Sequence, residues 1–348
     1  MDNQQYLWFD KYTPHSLEEL SYNKTTTNIL KNLSKTEDFP HLIFYGLDGS
    51  GKKTRIYAFL EAVYGPGVRK MTVEQKIMKI NSQSFEYIVA SSNYHIELSP
   101  TDLERKDRLL IQSVIKETAS SQQLDQKLQK KFKIIVLLDV DGLTKDAQAA
   151  LRRTMEKYAK NCRIIMSCNS LNKIINPVKS RCLCLRVGAP DEKQIVEVLK
   201  QIANKENINK NENDLYKIAK AADGNLRKAI NVFQLSEINE SKEIFVPEYI
   251  KKIRSIADVI KSKRNVEGVK ECRQYLSSLL VSCIPANNIL YQLMNIFIND
   301  NNINEDKKKE IISVTADVDY RCVNGDKSII HLESFCTKVM LILENNLY

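Results

Sequence analysis

The sequence contains no C-x-x-C pair, no stretch approaching the ~20 consecutive apolar residues of a membrane span, no internal repeat and no long disordered tract. Each absence excludes something. Eight cysteines lie scattered from Cys162 to Cys336, and the closest two, Cys182 and Cys184, sit in an apolar strand-like run. They therefore read as reduced core thiols, with neither a zinc site nor a disulfide framework expected. The first residues, MDNQQYLWFDKYTP, have neither the basic start nor the apolar core of a secretory signal. That predicts a chain on the cytosolic or nuclear side with no membrane partner.

What is present is an ordinary globular composition, 43% hydrophobic and 27% charged, over a length of 348 residues that accommodates two or three domains. The net charge of +9 suits a phosphate-rich partner. Lysine- and asparagine-rich runs such as NKENINKNEN (Asn204 to Asn213) contribute to that count simply as solvated surface.

Short apolar, β-branched runs at His41–Tyr45, Tyr94–Leu98, Lys133–Leu138, Arg163–Cys168 and Cys182–Val187 alternate with helical patterns. Within Asp146–Tyr158, helical spacing puts Ala147, Ala150, Leu151, Met155 and Tyr158 on one face and turns Arg152, Arg153 and Glu156 away. Strands separated by helices predict a parallel α/β sheet covered on both faces. After Gly188-Ala189-Pro190 only helical patterns remain, with boundaries at Pro285 and in the Asn299–Asn304 cluster. Three parts are expected: an α/β domain over 1–189, a small helical unit over 190–238 and a helical C-terminal domain over 239–348.

The stretch HLIFYGLDGSGKKT, His41 to Thr54, is a buried strand entering a glycine-rich loop and then a helix. Gly46, Gly49, Ser50 and Gly51 form a loop whose N–H groups can cradle phosphate oxygens, and Lys52 reaches the β- and γ-phosphates. In the pattern G-x-x-x-x-G-K-S/T the residue after the lysine is a hydroxyl that ligates Mg²⁺. Here it is Lys53. Thr54 cannot simply replace it, because one step along a helix rotates a side chain by ~100°. The Lys53 ammonium either supplies charge to the phosphates or turns to solvent.

The acidic half of such a site is expected at the end of a buried strand, KIIVLLDVDGLT, Lys133 to Thr144. Aligned on L-D-E-x-D-x-x-T, with Asp141 and Thr144 fixed, the metal-binding Asp becomes Leu138 and the water-polarising Glu becomes Asp139. A one-residue shift gives Asp139 to the metal but leaves Val140 at the base position. The first alignment alters both catalytic acids and the second still lacks one partner, so hydrolysis is expected to be weak or absent.

LWFDKYTP (Leu7–Pro14), the GKKT loop, YGPGV (Tyr64–Val68), DAQAALRRTME (Asp146–Glu156), CNS (Cys168–Ser170), KSRC (Lys179–Cys182), GNLRKAI (Gly224–Ile230) and IIHLESFCTKVM (Ile329–Met340) occur in one order along nearly the whole chain. In this the chain resembles the small subunits of replication factor C, and among them the type with a GKKT loop. The resemblance implies an AAA+ P-loop domain with a parallel sheet, a helical lid and an all-α collar. It also implies a hetero-pentamer with other replication factor C subunits, a ring-shaped sliding clamp of the PCNA type, primer–template DNA held by its backbone, and a nuclear location. The implied cofactor is ATP or ADP, with Mg²⁺ absent or weakly held.

The same resemblance implies roles for single residues. Asn169 matches a sensor of the γ-phosphate region, its alternative being a strand-end turn. Arg227 matches a second sensor on the lid, or else a solvated charge. Tyr12 and Pro14 lie in the segment near the adenine, with Thr13 where the family has arginine. Arg181 matches a finger projected into the neighbouring subunit's site, or else a surface arginine. Arg108, Thr144 and Lys145 match positions near DNA phosphate, the alternatives being a helix cap for Thr144 and solvated charges for the others. Arg152 and Arg153 either couple DNA contact to the nucleotide site or pair with Glu156. The rival reading is an autonomous AAA+ motor or helicase loader, which needs an Asp-Glu pair that LLDVD does not supply. A scaffold with an empty pocket would not need the glycines and Lys52.

Overall fold

The computed structural model describes residues 7–80, 83–99, 107–120, 132–159, 161–238 and 246–344. The chain forms two compact units, residues 1–244 and 245–348.

In the first unit, the described strands are β1 (His41–Tyr45), β2 (Thr72–Ile80), β3 (Gln83–Ser91), β4 (His95–Leu98), β5 (Lys133–Leu137), β6 (Cys162–Cys168) and β7 (Cys182–Arg186). They join in one sheet of order β2-β3-β4-β5-β6-β1-β7. β1 lies parallel between β6 and β7, Ile43 opposite Met166 on one side and Cys184 on the other. β5 pairs in parallel with β4 and β6. This is the parallel sheet that the alternation of strands and helices predicts.

The β2–β3 hairpin was not predicted. It pairs antiparallel, Lys76 opposite Tyr87, and β3 pairs antiparallel with β4, which makes the sheet mixed. The physical reason is visible in its side chains. Val73, Ile77 and Ile88 share a face that is exposed while Val89 is buried on the other, so the apolar residues mark neither a buried run nor a core-facing side.

Side chains alternate across the central strands and divide the core in two. Leu42, Phe44, Ile134 and Val136 pack with Ile56 and Phe59 of α3 (Lys52–Tyr64) and Leu30 of α2 (Lys24–Lys35). Ile43, Ile135 and Met166 pack the other way, against Ile111 of α4 (Asp107–Ser120) and Leu151 of α5 (Lys145–Lys157). α5 buries Ala147, Ala150, Leu151 and Met155, and Arg152, Arg153 and Glu156 are exposed, while the short α6 (Asn176–Lys179) leads into β7.

From residue 191 onward the described residues contain only helices and turns. α7 (Glu192–Lys205), closed at its start by an Asp191–Gln194 capping box, packs with α8 (Glu212–Ala222) and α9 (Leu226–Ile238) around Leu199, Ile218 and Phe233. The short α1 (Trp8–Lys11) docks on α9. Trp8 sits edge-to-face on Phe233 at 5.2 Å, and its backbone N–H donates to Gln234 Oε1 at 2.9 Å. The N-terminal segment is thereby joined to the helical lid.

The second unit is all-helical among its described residues: α10 (Glu248–Ser262), α11 (Val266–Val281), α12 (Ala286–Ile298), α13 (Glu305–Asn324) and α14 (Ser328–Glu344). Its core includes Ile256, Leu276, Leu293, Ile311 and Phe335. All eight cysteines are free thiols. Cys283 departs from the core expectation, for it is exposed in a left-handed turn after α11, φ 58°.

Phe233→Ala is expected to destabilise the first unit by about 3–5 kcal/mol, the usual cost of emptying a buried phenylalanine site. It is also expected to red-shift the emission of Trp8, the single tryptophan of the chain. Denaturant titration read by fluorescence checks both, and unchanged emission would contradict this packing.

Candidate nucleotide site

β1 delivers the chain to Gly46, whose N–H donates to Cys168 O at 3.3 Å on the neighbouring strand. A Cβ on Gly46 would lie 2.0 Å from Val187 O. Gly49 and Gly51 adopt φ of +70° and +82°, conformations that an L side chain resists. Beneath the loop lies Arg55, completely buried, with its guanidinium 4.3 Å from the centre of the Tyr22 ring. It donates to Tyr22 O at 2.8 Å and to Ser50 O and Gly51 O at 3.3 Å each, and the Tyr22 hydroxyl donates to Ser50 O at 2.9 Å. The loop carbonyls are tied inward, and the N-terminus of α3 opens where they leave off.

Lys52 is mostly buried. Its Nζ donates to Gly46 O at 2.8 Å, Leu47 O at 3.0 Å and Asn169 Oδ1 at 2.7 Å. Burial lowers its pKa, and the carboxylates of Asp48, Asp139 and Asp141 oppose that shift. Among the described residues Ser50 Oγ is buried without a hydrogen-bond partner. A polar atom in that position costs free energy until something pairs with it. These residues fit the phosphates of a nucleotide: a helix N-terminus, glycines that admit close approach, an unpaired hydroxyl and a lysine held by carbonyls that an oxyanion can displace.

Lys53 keeps half of its side chain exposed and adds a carboxylate partner that the sequence did not suggest. Its Nζ lies 2.6 Å from Glu97 Oε1 on β4 and 5.6 Å from the centre of the Tyr57 ring. Tyr57 donates to Glu97 Oε2 from one turn along α3. Burial, followed by the hydrogen bond to Glu97, raises the tyrosine's pKa. Thr54 lines the cleft beside this cluster.

Leu138 extends the β5 ladder, its N–H donating to Leu98 O at 3.0 Å, and its side chain joins the α3-side core. Asp139 turns in a left-handed conformation, φ 50°, with its N–H on Ser167 Oγ at 3.3 Å. Burial first, and then the neighbouring Asp141, raise its pKa, while Lys52 lowers it. Of the two altered acid positions, Asp139 is thus the one within electrostatic reach of the loop lysine. Lys53 and Leu138 offer no oxygen ligand at two of the positions that serve Mg²⁺ in P-loop enzymes, and Asp139 is the altered acid position that keeps a carboxylate.

A cleft of about 360 Å³ is lined by Tyr12, Pro14, Gly49, Lys53, Thr54 and Arg227, among others. The Tyr12 hydroxyl donates to Glu206 Oε1 at 2.5 Å, and Lys11 Nζ reaches the same oxygen at 2.7 Å. Arg227 Nη1 lies 3.5 Å from Asp48 Oδ1, and its guanidinium 6.0 Å from the centre of the Phe9 ring. Asn225 Oδ1 caps Lys228 N at 3.0 Å, and the same oxygen would be 1.9 Å from a Cβ on Gly49. The lid therefore rests directly on the phosphate loop.

Arg181 lies just before β7, well away from this loop's hydrogen bonds, with its guanidinium on Glu156 and the Pro177 carbonyl. Thr144 Oγ1 accepts from Ala147 N at 3.2 Å as the N-cap of α5. Lys145 is exposed at the first position of that helix, and Arg108 is exposed on α4. The structure thus brings Gly46, Gly49, Ser50, Gly51, Lys52, Asn169, Asp139 and Arg227 together, with Tyr12, Pro14, Lys53 and Thr54 on the cleft beside them. Arg181, Arg108, Thr144 and Lys145 stand apart. Sequence reasoning missed Tyr22, Arg55, Glu97 and Asn225. Asn225 had a signal, since it precedes the recognised Arg227 in GNLRKA; Glu97 had none, because its partner is 44 residues away.

A P-loop sheet domain carrying a helical lid that closes on the loop defines the AAA+ class. The chain matches families described as "Replication factor C subunit 3, C-terminal domain" over residues 249–347, "RCF1/5-like, AAA+ ATPase lid domain" over 197–235 and "DNA polymerase III, delta subunit" over 22–191. It is 41% identical to replication factor C subunit 5 of Saccharomyces cerevisiae, with 97% of this chain and 99% of that protein covered. Identity to human replication factor C subunit 3 is 40%, covering 97% and 96%. A solved Thermotoga maritima RuvB mutant has 14% identity and a TM-score of 0.49, covering 71% of this chain and 80% of that one. The chain belongs to the replication factor C small-subunit family, of the type named subunit 3 or subunit 5.

Gly49→Ala is expected to lower the melting temperature, since it adds both the left-handed backbone cost of about 1–2 kcal/mol and the clash with Asn225. Asn225→Gly in the same chain should recover part of the loss. Purely additive losses in the double variant would contradict a direct contact between lid and loop.

Proposed function

We propose that this chain is a small subunit of a five-membered clamp loader that places a ring-shaped sliding clamp on primer–template DNA in the nucleus. In this reading residues 1–189 bind ATP or ADP, 190–238 act as the lid and 239–348 join the collar. The subunit holds nucleotide, hydrolyses it negligibly, and donates Arg181 to a neighbouring subunit's site.

The observation that carries the hydrolysis reading is the fate of Lys53. The position that supplies a metal-binding hydroxyl in P-loop enzymes is an ammonium paired with Glu97, and Leu138, partly buried, packs against the core. Phosphoryl transfer depends on charge neutralisation and on positioning the attacking water. With the hydroxyl and one acid lost, the chain keeps the contacts that bind phosphate and lacks those that split it.

DNA contact is assigned to Arg108, Thr144 and Lys145, with Thr144 serving as helix cap as well. Such contacts follow the duplex backbone and carry no base specificity. The LLDVD strand argues against an autonomous motor.

The isolated chain is expected to bind ADP or ATP with negligible turnover, and Lys52→Ala should abolish that binding. Robust turnover that Lys52→Ala removes would overturn the reading. Chelation of Mg²⁺ is expected to weaken nucleotide binding less than it does in a neighbouring subunit that retains the hydroxyl. Fluorescent-nucleotide titrations with and without chelator check this, and equal losses would count against it.

A further inference from the structure

Arg181 is not a free guanidinium waiting for a phosphate. Nε and Nη2 lie 2.7 and 2.5 Å from Glu156 Oε1 on α5, and Nη1 donates to Pro177 O at 2.6 Å and Ser180 Oγ at 3.2 Å. The Nε/Nη2 edge is the one that makes two parallel bonds to a carboxylate or phosphate. Here that edge faces the chain's own carboxylate. Before Arg181 can span phosphoryl oxygens of a neighbour, it must leave Glu156.

Glu156 is shared. Arg152, one turn earlier on α5, places Nε 3.3 Å from the same Oε1. The arginines together hold the Glu156 carboxyl below the usual carboxylate range, Arg152 contributing most through its hydrogen bond, and so keep it charged. All three side chains keep solvent contact, with exposures of 46% for Arg152, 46% for Glu156 and 32% for Arg181. An ion pair this exposed is weak and biases a side chain without locking it.

The geometry points to Glu156 as a positioning residue that holds Arg181 withdrawn until a neighbour's phosphates compete for it. The inference rests on the reading of Arg181 as a finger, and it adds a contact that lowers resting hydrolysis next door. Release requires no refolding, because the pair lies at the surface and the Pro177 and Ser180 contacts are local. The polyphosphate of a nucleotide outcompetes a single carboxylate once the interface closes.

The test uses the reconstituted complex of this chain with its partner subunits, measuring ATP hydrolysis with and without clamp and primer–template DNA. Glu156→Gln preserves shape and removes the charge. It is expected to raise the resting rate about 2–5-fold, the scale of an exposed ion pair, while leaving the stimulated rate near its original value. The double variant Glu156→Gln/Arg181→Ala should lose that gain, since the gain needs the finger. Melting temperature and subunit co-purification establish that the variants fold and assemble. An unchanged resting rate, or a lower stimulated rate, in Glu156→Gln would overturn the inference. A gain of equal size in Arg152→Ala would overturn it too, because that change leaves Oε1 wholly to Arg181. If Arg181→Ala lowers the stimulated rate while Glu156→Gln changes nothing, the finger stands and the latch falls. If Arg181→Ala changes nothing, the finger reading itself falls.

Discussion

The three hydrogen bonds of Lys52 Nζ hold the site together. They join the start of the loop, through Gly46 and Leu47, to the end of β6, through Asn169, and fix the first residue of α3 between two adjacent parallel strands. The arrangement requires β1 in the middle of the sheet, Gly46 close against Val187, and Arg55 beneath the loop drawing the Ser50 and Gly51 carbonyls away from the opening. A phosphate entering the loop would exchange its oxygens for those carbonyls around an ammonium already in position. Binding costs little reorganisation when the cation is set in advance.

The Lys53–Glu97 pair is the counterpart on the next residue. One lysine points into the loop and the other out to β4, as the ~100° turn between successive helical residues demands. Glu97 is largely buried, and the Lys53 ammonium and the Tyr57 hydroxyl each meet one of its oxygens, which satisfies a carboxylate that would otherwise be costly to bury. The helix N-terminus thus presents one cation to phosphate and spends the other on the fold. On the proposed reading, with Leu138 packed against the core, the chemistry left at this loop is that of retention. In that reading the catalytic contribution of the chain lies at Arg181, which precedes β7 where Cys182 pairs with His41, at the end of β1 away from the loop.

Most of this was legible in sequence wherever a signal was local. The strand–loop–helix run from His41, the apolar face of α5 and the change to helices after Pro190 each follow from spacing within about a dozen residues. The loop glycines follow from the positive φ they adopt. The β2–β3 hairpin was not legible, because its exposed valine and isoleucines hide the alternation that marks a strand. The partner of Lys53 was not legible either. Glu97 lies on another strand, and only the order of strands in the sheet brings it to α3. Arg55 carries no signal of its own, and it is buried against Tyr22 from a segment that carries no motif. Long-range pairing of charges is the part of a site that linear spacing does not encode.

On the proposed reading, one chain combines a loop that holds nucleotide with an arginine that acts elsewhere. A reconstituted complex carrying either Lys52→Ala or Arg181→Ala in this subunit alone, compared for DNA- and clamp-stimulated ATP turnover, tests that division most directly. Arg181→Ala is expected to lower turnover in a complex that still assembles, while Lys52→Ala leaves turnover largely intact wherever assembly is preserved. Loss of turnover in Lys52→Ala, with none in Arg181→Ala, would contradict it.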